Sequence, residues 1–333
     1  VLVSRLAQFQ STKALILLLI LLFASISIAD DFTTVTGKKY KDVTFSRVEL
    51  DSIVFMTSTG IVKLYFAELP KEVQEKYHYD AVKAGGGAAT DAKKKEEEAK
   101  QILNSTKEHP WENSLGMKFV RVPGTNALFS IWDTRVQDYE AFVKATGRTW
   151  QKPSFSQASK HPAVNVTWKD AKAFCEWLTQ DERKEGRLST REIYRLPTDA
   201  EWSAAVGLKA ETGRTPDERS KQIGGIYPWG KEWPPPKGAG NYNRSLNVDE
   251  HEKTSPVGSF RANEFGLYDM GGNVWQWCED WYESSEQSRV ERGGSWRDRG
   301  PGHLLSSYRD HDTPDTRDDH TGFRCVLVAE SLR

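Results

Sequence analysis

Asp269 and Gln276 lie in the stretch Gly266-Leu267-Tyr268-Asp269-Met270-Gly271-Gly272-Asn273-Val274-Trp275-Gln276-Trp277-Cys278-Glu279-Asp280-Trp281-Tyr282, crowded with tryptophan and glycine. No helical or strand period fits it, which predicts a buried, irregular backbone whose carbonyls lack ladder partners. Calcium takes oxygen ligands in flexible geometry, so two oxygen-bearing side chains among bare carbonyls form a candidate calcium cradle. A tryptophan-rich core with a satisfied aspartate is the alternative reading of the same residues.

A second group combines His303, His311 and His320 with Asp310, Asp312, Asp315, Asp318 and Asp319. Histidine with carboxylate can bind iron, copper or zinc, but the spacing here is irregular, and a solvated acidic loop competes with a metal site. Three cysteines complete the reactive inventory. In an exported chain they predict one disulfide and one free thiol.

Export is itself an expectation. Arg5 and Lys13 precede the apolar run Ala14-Leu15-Ile16-Leu17-Leu18-Leu19-Ile20-Leu21-Leu22-Phe23, and Ser27-Ile28-Ala29 resembles a cleavage site, so residues 1–29 read as a secretory signal. The run is short for a membrane span, although an uncleaved anchor is the alternative. The protein is expected in the periplasm, the secretory lumen or outside the cell, with no span after cleavage. A net charge of −1 gives no basic face for nucleic acid.

The elements that must hold these residues follow from patterning. Residues 30–70 read as a small all-β unit, with extended runs through Tyr40 to Val48, Ile53 to Met56 and Ile61 to Phe66. It carries no clustered His, Cys or acids and reads as an adaptor. Residues 71–112 form a linker, with a flexible Gly85-Gly86-Gly87-Ala88-Ala89 stretch and a charged, partly helical run at Lys93-Lys94-Lys95-Glu96-Glu97-Glu98. The main domain occupies 113–333. Three helix starts repeat one signature there: Thr134 with Gln137, Thr167 with Asp170, and Thr198 with Glu201. The helices are expected to stop at Gly147, Gly186 and Gly207. No long periodic segment follows Gly207, so ions, a disulfide and stacked aromatics are expected to order the rest.

An ordered series of motifs then becomes specific. His161-Pro162-Ala163-Val164-Asn165-Val166-Thr167-Trp168 leads into a helix, and Arg195-Leu196-Pro197-Thr198-Asp199-Ala200-Glu201-Trp202 follows. Tyr227-Pro228-Trp229-Gly230, Pro256-Val257-Gly258, the glycine-tryptophan stretch, Arg292-Gly293-Gly294-Ser295-Trp296 and Gly322-Phe323-Arg324-Cys325 complete it. Over about residues 113–329 this series resembles the formylglycine-generating enzyme, or sulfatase-modifying factor, family. The resemblance implies an α+β, C-type-lectin-like formylglycine-generating-enzyme fold, low in regular structure, with bound calcium. Enzymes of that family oxidise a sulfatase cysteine to formylglycine with molecular oxygen and copper held by two cysteines.

Residue by residue, the resemblance implies one calcium site from Asn241, Tyr242, Asp249 and His251, the second and fourth through their carbonyls. A second takes side chains of Asp269 and Gln276 with carbonyls of Gly272 and Val274. It implies a Cys175–Cys325 disulfide, whose long loop would stabilise by about 4–5 kcal/mol in the chain-entropy account, and a buried, inert Cys278. It places Ser295, His303 and Arg309 along a substrate groove, so that Arg309→Ala should weaken ligand binding and leave folding largely intact. The catalytic pair does not carry over. Active enzymes place both cysteines just after the Gly-Gly-Ser-aromatic motif, where this chain runs from Trp296 to Arg309 without one. Counted from Ser295, the two positions fall on Asp298 and His303; counted back from Arg309, the second falls on Pro301. Copper is therefore not expected.

The expected function is a calcium-stabilised module that binds a peptide or protein, a sulfatase among the candidates, without copper oxidase activity. The alternative is a divergent formylglycine-generating oxidase acting on sulfatase cysteines, or another metal-dependent oxidase.

Overall fold

The computed structural model describes residues 30–76 and 97–329, apart from positions 36, 49–51, 58, 59, 98, 99, 103, 209, 210 and 221. The expected export segment, the Gly85 to Ala89 stretch and all of the charge run except Glu97 lie outside the described residues. Among the described residues no helix is long and apolar enough to cross a membrane. The chain divides into two compact units, Val1–Ala92 and Lys93–Arg333.

In the first unit, β1 (Asp30–Thr33), β2 (Lys39–Val48), β3 (Ser52–Thr57) and β4 (Gly60–Tyr65) form one sheet in sequential order. All pairs are antiparallel, and β3 and β4 run in unbroken register from Ser52↔Tyr65 to Thr57↔Gly60. Val43, Ile53, Phe55, Leu64, Phe66 and Leu69 make its core. The short helix α1 (Lys71–Lys76) caps that core with Val73. Gln74 Nε2 donates to the carbonyls of Phe66 and Leu69 at 2.8 and 2.9 Å, satisfying groups that the end of the sheet leaves open.

The second unit combines two curled sheets with a few helices. In the first sheet, β5 (Trp111–Glu112), β6 (Lys118–Arg121), β7 (Ala127–Ser130), β8 (Glu192–Arg195) and β13 (Val326–Ala329) lie in the order β5-β6-β7-β13-β8. In the second, β9 (Trp275–Trp281), β10 (Arg289–Arg292), β11 (Asp310–Asp312) and β12 (Thr321–Gly322) lie in the order β11-β10-β9-β12. The helices are α2 (Val136–Thr146), α3 (Trp168–Lys184), α4 (Asp199–Ala205) and α5 (Pro216–Ser220).

Two of the expected helix caps form as read. Thr167 Oγ1 accepts from Asp170 N at 3.0 Å, and Thr198 Oγ1 from Glu201 N at 3.2 Å, each with the carboxylate returning the bond. The first cap differs. α2 starts one residue later, with Asp138 Oδ2 accepting from the Arg135 backbone N–H at 2.9 Å and from Arg135 Nε at 2.8 Å. A charge-assisted pair, buried on both sides, outcompetes the neutral Thr134/Gln137 box.

The glycine-tryptophan stretch also departs from expectation, because it contains the regular strand β9. No period is visible because β9 is covered on both faces. Trp277 packs into the aromatic cluster of α2 and α3, with Phe142, Phe174 and Phe323, while Cys278 packs with Trp202, Phe129 and Val326. Trp275 to Cys278 are buried and the strand pairs with both β10 and β12, but Gln276, Glu279 and Asp280 interrupt its apolar residues, so neither a strict alternation nor a continuous apolar run is legible.

Candidate functional site

The loop before β9 is held by close backbone approach. Asn273 sits in the left-handed region at φ 62° and its N–H donates to the Asn241 carbonyl at 2.7 Å. Its side-chain oxygen accepts from Ser255 N at 3.0 Å and from Asn241 Nδ2 at 3.3 Å. Asn241 Nδ2 also donates to the Lys253 carbonyl at 2.7 Å. With the amide nitrogen committed, Asn241 Oδ1 is buried with no hydrogen-bond partner. Asp249 folds over the same backbone, accepting from Tyr242 N at 3.0 Å and His251 N at 2.8 Å through different oxygens. An orphaned buried acceptor beside a carboxylate and the backbone of Tyr242 and His251 fits a hard cation.

The second expected cradle does not fit. Gln276 Oε1 already accepts from Trp202 Nε1 at 2.9 Å and Arg324 Nε at 2.7 Å, and Gln276 Nε2 donates to the Asp269 carbonyl at 2.7 Å. Both lone pairs of that oxygen are used, one of them by the wholly buried guanidinium of Arg324. Asp269, at φ 54°, accepts from Gly258 N at 2.8 Å through Oδ2. Burial pushes its carboxyl up to about 6, against the pull of the Gly258 N–H and Arg324. Gln276 is thus a strut between Trp202, Arg324 and the loop, and Gly272 and Val274 shape the loop around it.

Of the expected groove residues, the structure brings together two. Ser295 Oγ donates to Asp298 Oδ2 at 2.7 Å, and Asp298 Oδ1 lies 3.7 Å from His303 Nδ1. His303 is exposed and leans on the Tyr308 ring at 5.0 Å, whereas Ser295 is fully buried. Ser295 and Asp298 are thus hydrogen-bonded, while Asp298 and His303 face each other beyond hydrogen-bond distance.

Arg309 is elsewhere, and its expected role is corrected. Its Nε and Nη2 meet the two oxygens of Asp199 at 3.0 Å each, and Nη1 and Nη2 meet those of Glu211 at 2.6 Å each. Arg292 also contacts Asp199, and Arg219 Nη2 reaches it at 3.0 Å. With its side chain wholly buried, Arg309 is a structural tie that no groove ligand can touch. Burial opposes ionisation of Asp199 and Glu211, yet the surrounding arginines hold both carboxyls below their usual range. Nothing local announces this cluster, since its members come from α4, α5, β10 and intervening loops.

The histidine–aspartate group disperses. His311 stacks on Tyr282 at 3.9 Å, and His320 Nδ1 faces Asp319 at 3.5 Å. Among the described residues no three His, Cys, Asp or Glu side chains converge as a metal site. The segment instead surrounds Glu291 with like charge. Burial, then Asp310, Asp312 and Asp318, push this carboxyl well above its ordinary value, with Thr321 working the other way. A raised acid favours folding where it is protonated, so its contribution is present below the unfolded carboxyl range and is lost as pH rises. Glu291→Gln is therefore expected to raise the melting temperature at pH 8 and leave it unchanged near pH 4. Melting curves across that range check it, and equal shifts at both ends would contradict it.

Comparison with known proteins now decides the family. The sulfatase-modifying factor enzyme 1-like domain matches residues 67–329. The chain belongs to this family. It is 29% identical over 237 residues to a formylglycine-generating enzyme of Thermomonospora curvata, covering 61% of this chain and 68% of that one. It is 32% identical over 197 residues to an inactive C-alpha-formylglycine-generating enzyme 2 of Bos taurus, covering 54% and 56%. It thus spans between about half and two thirds of the length of these curated relatives. Among solved structures, PvdO from Pseudomonas aeruginosa aligns at 27% identity with a TM-score of 0.45, over 61% of this chain and 80% of that one.

As a family member the second unit has the expected α+β formylglycine-generating-enzyme fold, and its cysteines can be read against it. Cys175 and Cys325 are buried with their sulfurs 3.5 Å apart. The expected disulfide is not formed in this structure: a bond needs about 2.05 Å, and the pair stands as two thiols in contact. Burial, then the neighbouring Cys325, pushes the Cys175 thiol up, and burial does the same to Cys278. Cys175 and Cys278 are therefore poor nucleophiles and poor metal ligands as they stand. Asn273 and Asp199 are the members of this site that sequence reasoning missed; the Gly-Gly-Asn turn was the available signal for the first.

Proposed function

We propose that the mature chain is an exported, calcium-stabilised module of the sulfatase-modifying factor family that holds a peptide or protein ligand without copper oxidation. One observation carries the reading. Asp298 and His303 occupy the segment where active relatives place two cysteines, and the cysteines of this chain are buried elsewhere. Copper(I) is held by soft thiolates, while carboxylate and imidazole are hard or borderline donors. The likeness to an inactive formylglycine-generating enzyme 2 is consistent with such a member. A sulfatase is the candidate protein partner, on the family's account. Export would also favour closing Cys175 onto Cys325. A cysteine peptide of sulfatase type, incubated with the copper-loaded protein and oxygen, tests the reading and is expected to return unchanged.

Calcium would sit at Asn241, Asp249 and the carbonyls of Tyr242 and His251, ordering the loop in front of β9. The ion binds only the folded chain and so stabilises it by mass action, by about 2.7 kcal/mol at a hundredfold excess over Kd. Excess chelator is expected to lower the melting temperature, and added calcium to restore it. An unchanged melting curve, in protein that carries no calcium after purification, would contradict this site.

A further inference from the structure

Between the loops 228–239 and 260–271 lies a cavity of about 640 Å³ that shares no lining residue with Ser295, Asp298 and His303. Its size is in the range of small-ligand sites. Trp229 and Phe260 supply apolar wall. The Trp229 ring is fixed by stacking on Tyr227 at 4.8 Å and by Nε1 donating to the Glu232 carbonyl at 2.9 Å. Lys237 and Arg261 also line the cavity, and neither is paired with a carboxylate among the described residues. Asp269 lines it as well, 7% exposed. Its Oδ2 is held by Gly258 N–H, and among the described residues no donor is placed on Oδ1.

A largely buried carboxylate with one oxygen lacking a donor favours a ligand that brings one, and a charged donor most. Metal is the poorer occupant, because the Gln276 oxygen and the Asp269 carbonyl nearby are already bonded to N–H groups. Lys237 and Arg261 outnumber the one further carboxylate of the lining, Glu264, and favour an anionic group on the same ligand. We propose that this cavity binds a zwitterionic amino acid or short peptide, with Asp269 taking its ammonium group, Lys237 and Arg261 its carboxylate, and Trp229 and Phe260 its apolar side chain. The proposal stands on its own geometry and does not rest on the reading of the Ser295–His303 segment.

Calorimetric titration of the full chain with the dipeptide Ala-Phe tests it, beside N-acetyl-Ala-Phe and Ala-Phe amide. Ala-Phe is expected to bind, and acetylation to weaken it roughly tenfold or more, the scale of a hydrogen bond to a charged group. Asp269→Asn keeps an acceptor for Gly258 N–H and tolerates the left-handed backbone; it is expected to erase the difference between free and acetylated peptide. Combined Lys237→Ala and Arg261→Ala should weaken the free acid and spare the amide. No heat with Ala-Phe at millimolar concentration, or equal affinity for the acetylated peptide in the unmodified protein, would overturn the proposal. So would displacement of the dipeptide by calcium alone, which would assign the Asp269 edge to a metal.

Discussion

Arg309→Ala is expected to destabilise the second unit by about 3–5 kcal/mol, the cost of breaking a buried ion pair by removing one partner. The substitution leaves the Glu211 side chain, 4% exposed, without the guanidinium that meets both of its oxygens, and takes two bonds from Asp199. Arg292 and Arg219 still reach Asp199, so the orphaned charge is chiefly that of Glu211. Against a total stability of about 5–15 kcal/mol, such a loss removes a large share. Arg309→Lys keeps the charge but not the planar fork, and should fall between the two. Urea denaturation followed by far-ultraviolet circular dichroism measures this. A midpoint equal to that of the unmodified protein would return Arg309 to the groove.

Gly272→Ala is expected to cost about 2–4 kcal/mol, combining a left-handed backbone with overpacking. Gly272 stands at φ 78°, and an added Cβ would lie 2.5 Å from the Asn241 carbonyl oxygen and 2.7 Å from Tyr242 Cε1. Neither is the far end of a flexible chain. The strain would fall on the Asn241 backbone, whose side-chain oxygen is the best-fitting calcium donor, so calcium affinity should fall with stability. Gly124→Ala is the matched control, since Gly124 has φ 81° with open space around it, and should cost only about 1–2 kcal/mol. Equal losses at the two positions would show that backbone conformation alone, not the cradle, sets the effect.

The parts of this fold that were legible in the sequence are those written locally. Thr167 and Thr198 announce α3 and α4 because a cap is a contact across three residues, and Gly147 marks the end of α2 by its left-handed backbone. β9 is hidden because its first four residues are all buried, Gln276 among them, and Glu279 and Asp280 break the apolar pattern after them. The Asp199–Arg309 tie spans 110 residues of chain, so no window contains it. Asp269 and Gln276 read as a metal pair from donor chemistry, reinforced by the family resemblance. That chemistry leaves open whether Trp202 and Arg324 reach Gln276 first, and in the folded chain they do.

The most direct measurement of the central claim is mass spectrometry of a cysteine-containing sulfatase peptide after incubation with the copper-loaded protein and oxygen. With a soft thiolate pair missing from the segment between Trp296 and Arg309, the peptide is expected to keep its thiol mass, as in a control without protein. A protein-dependent mass loss corresponding to thiol-to-aldehyde conversion would contradict the account.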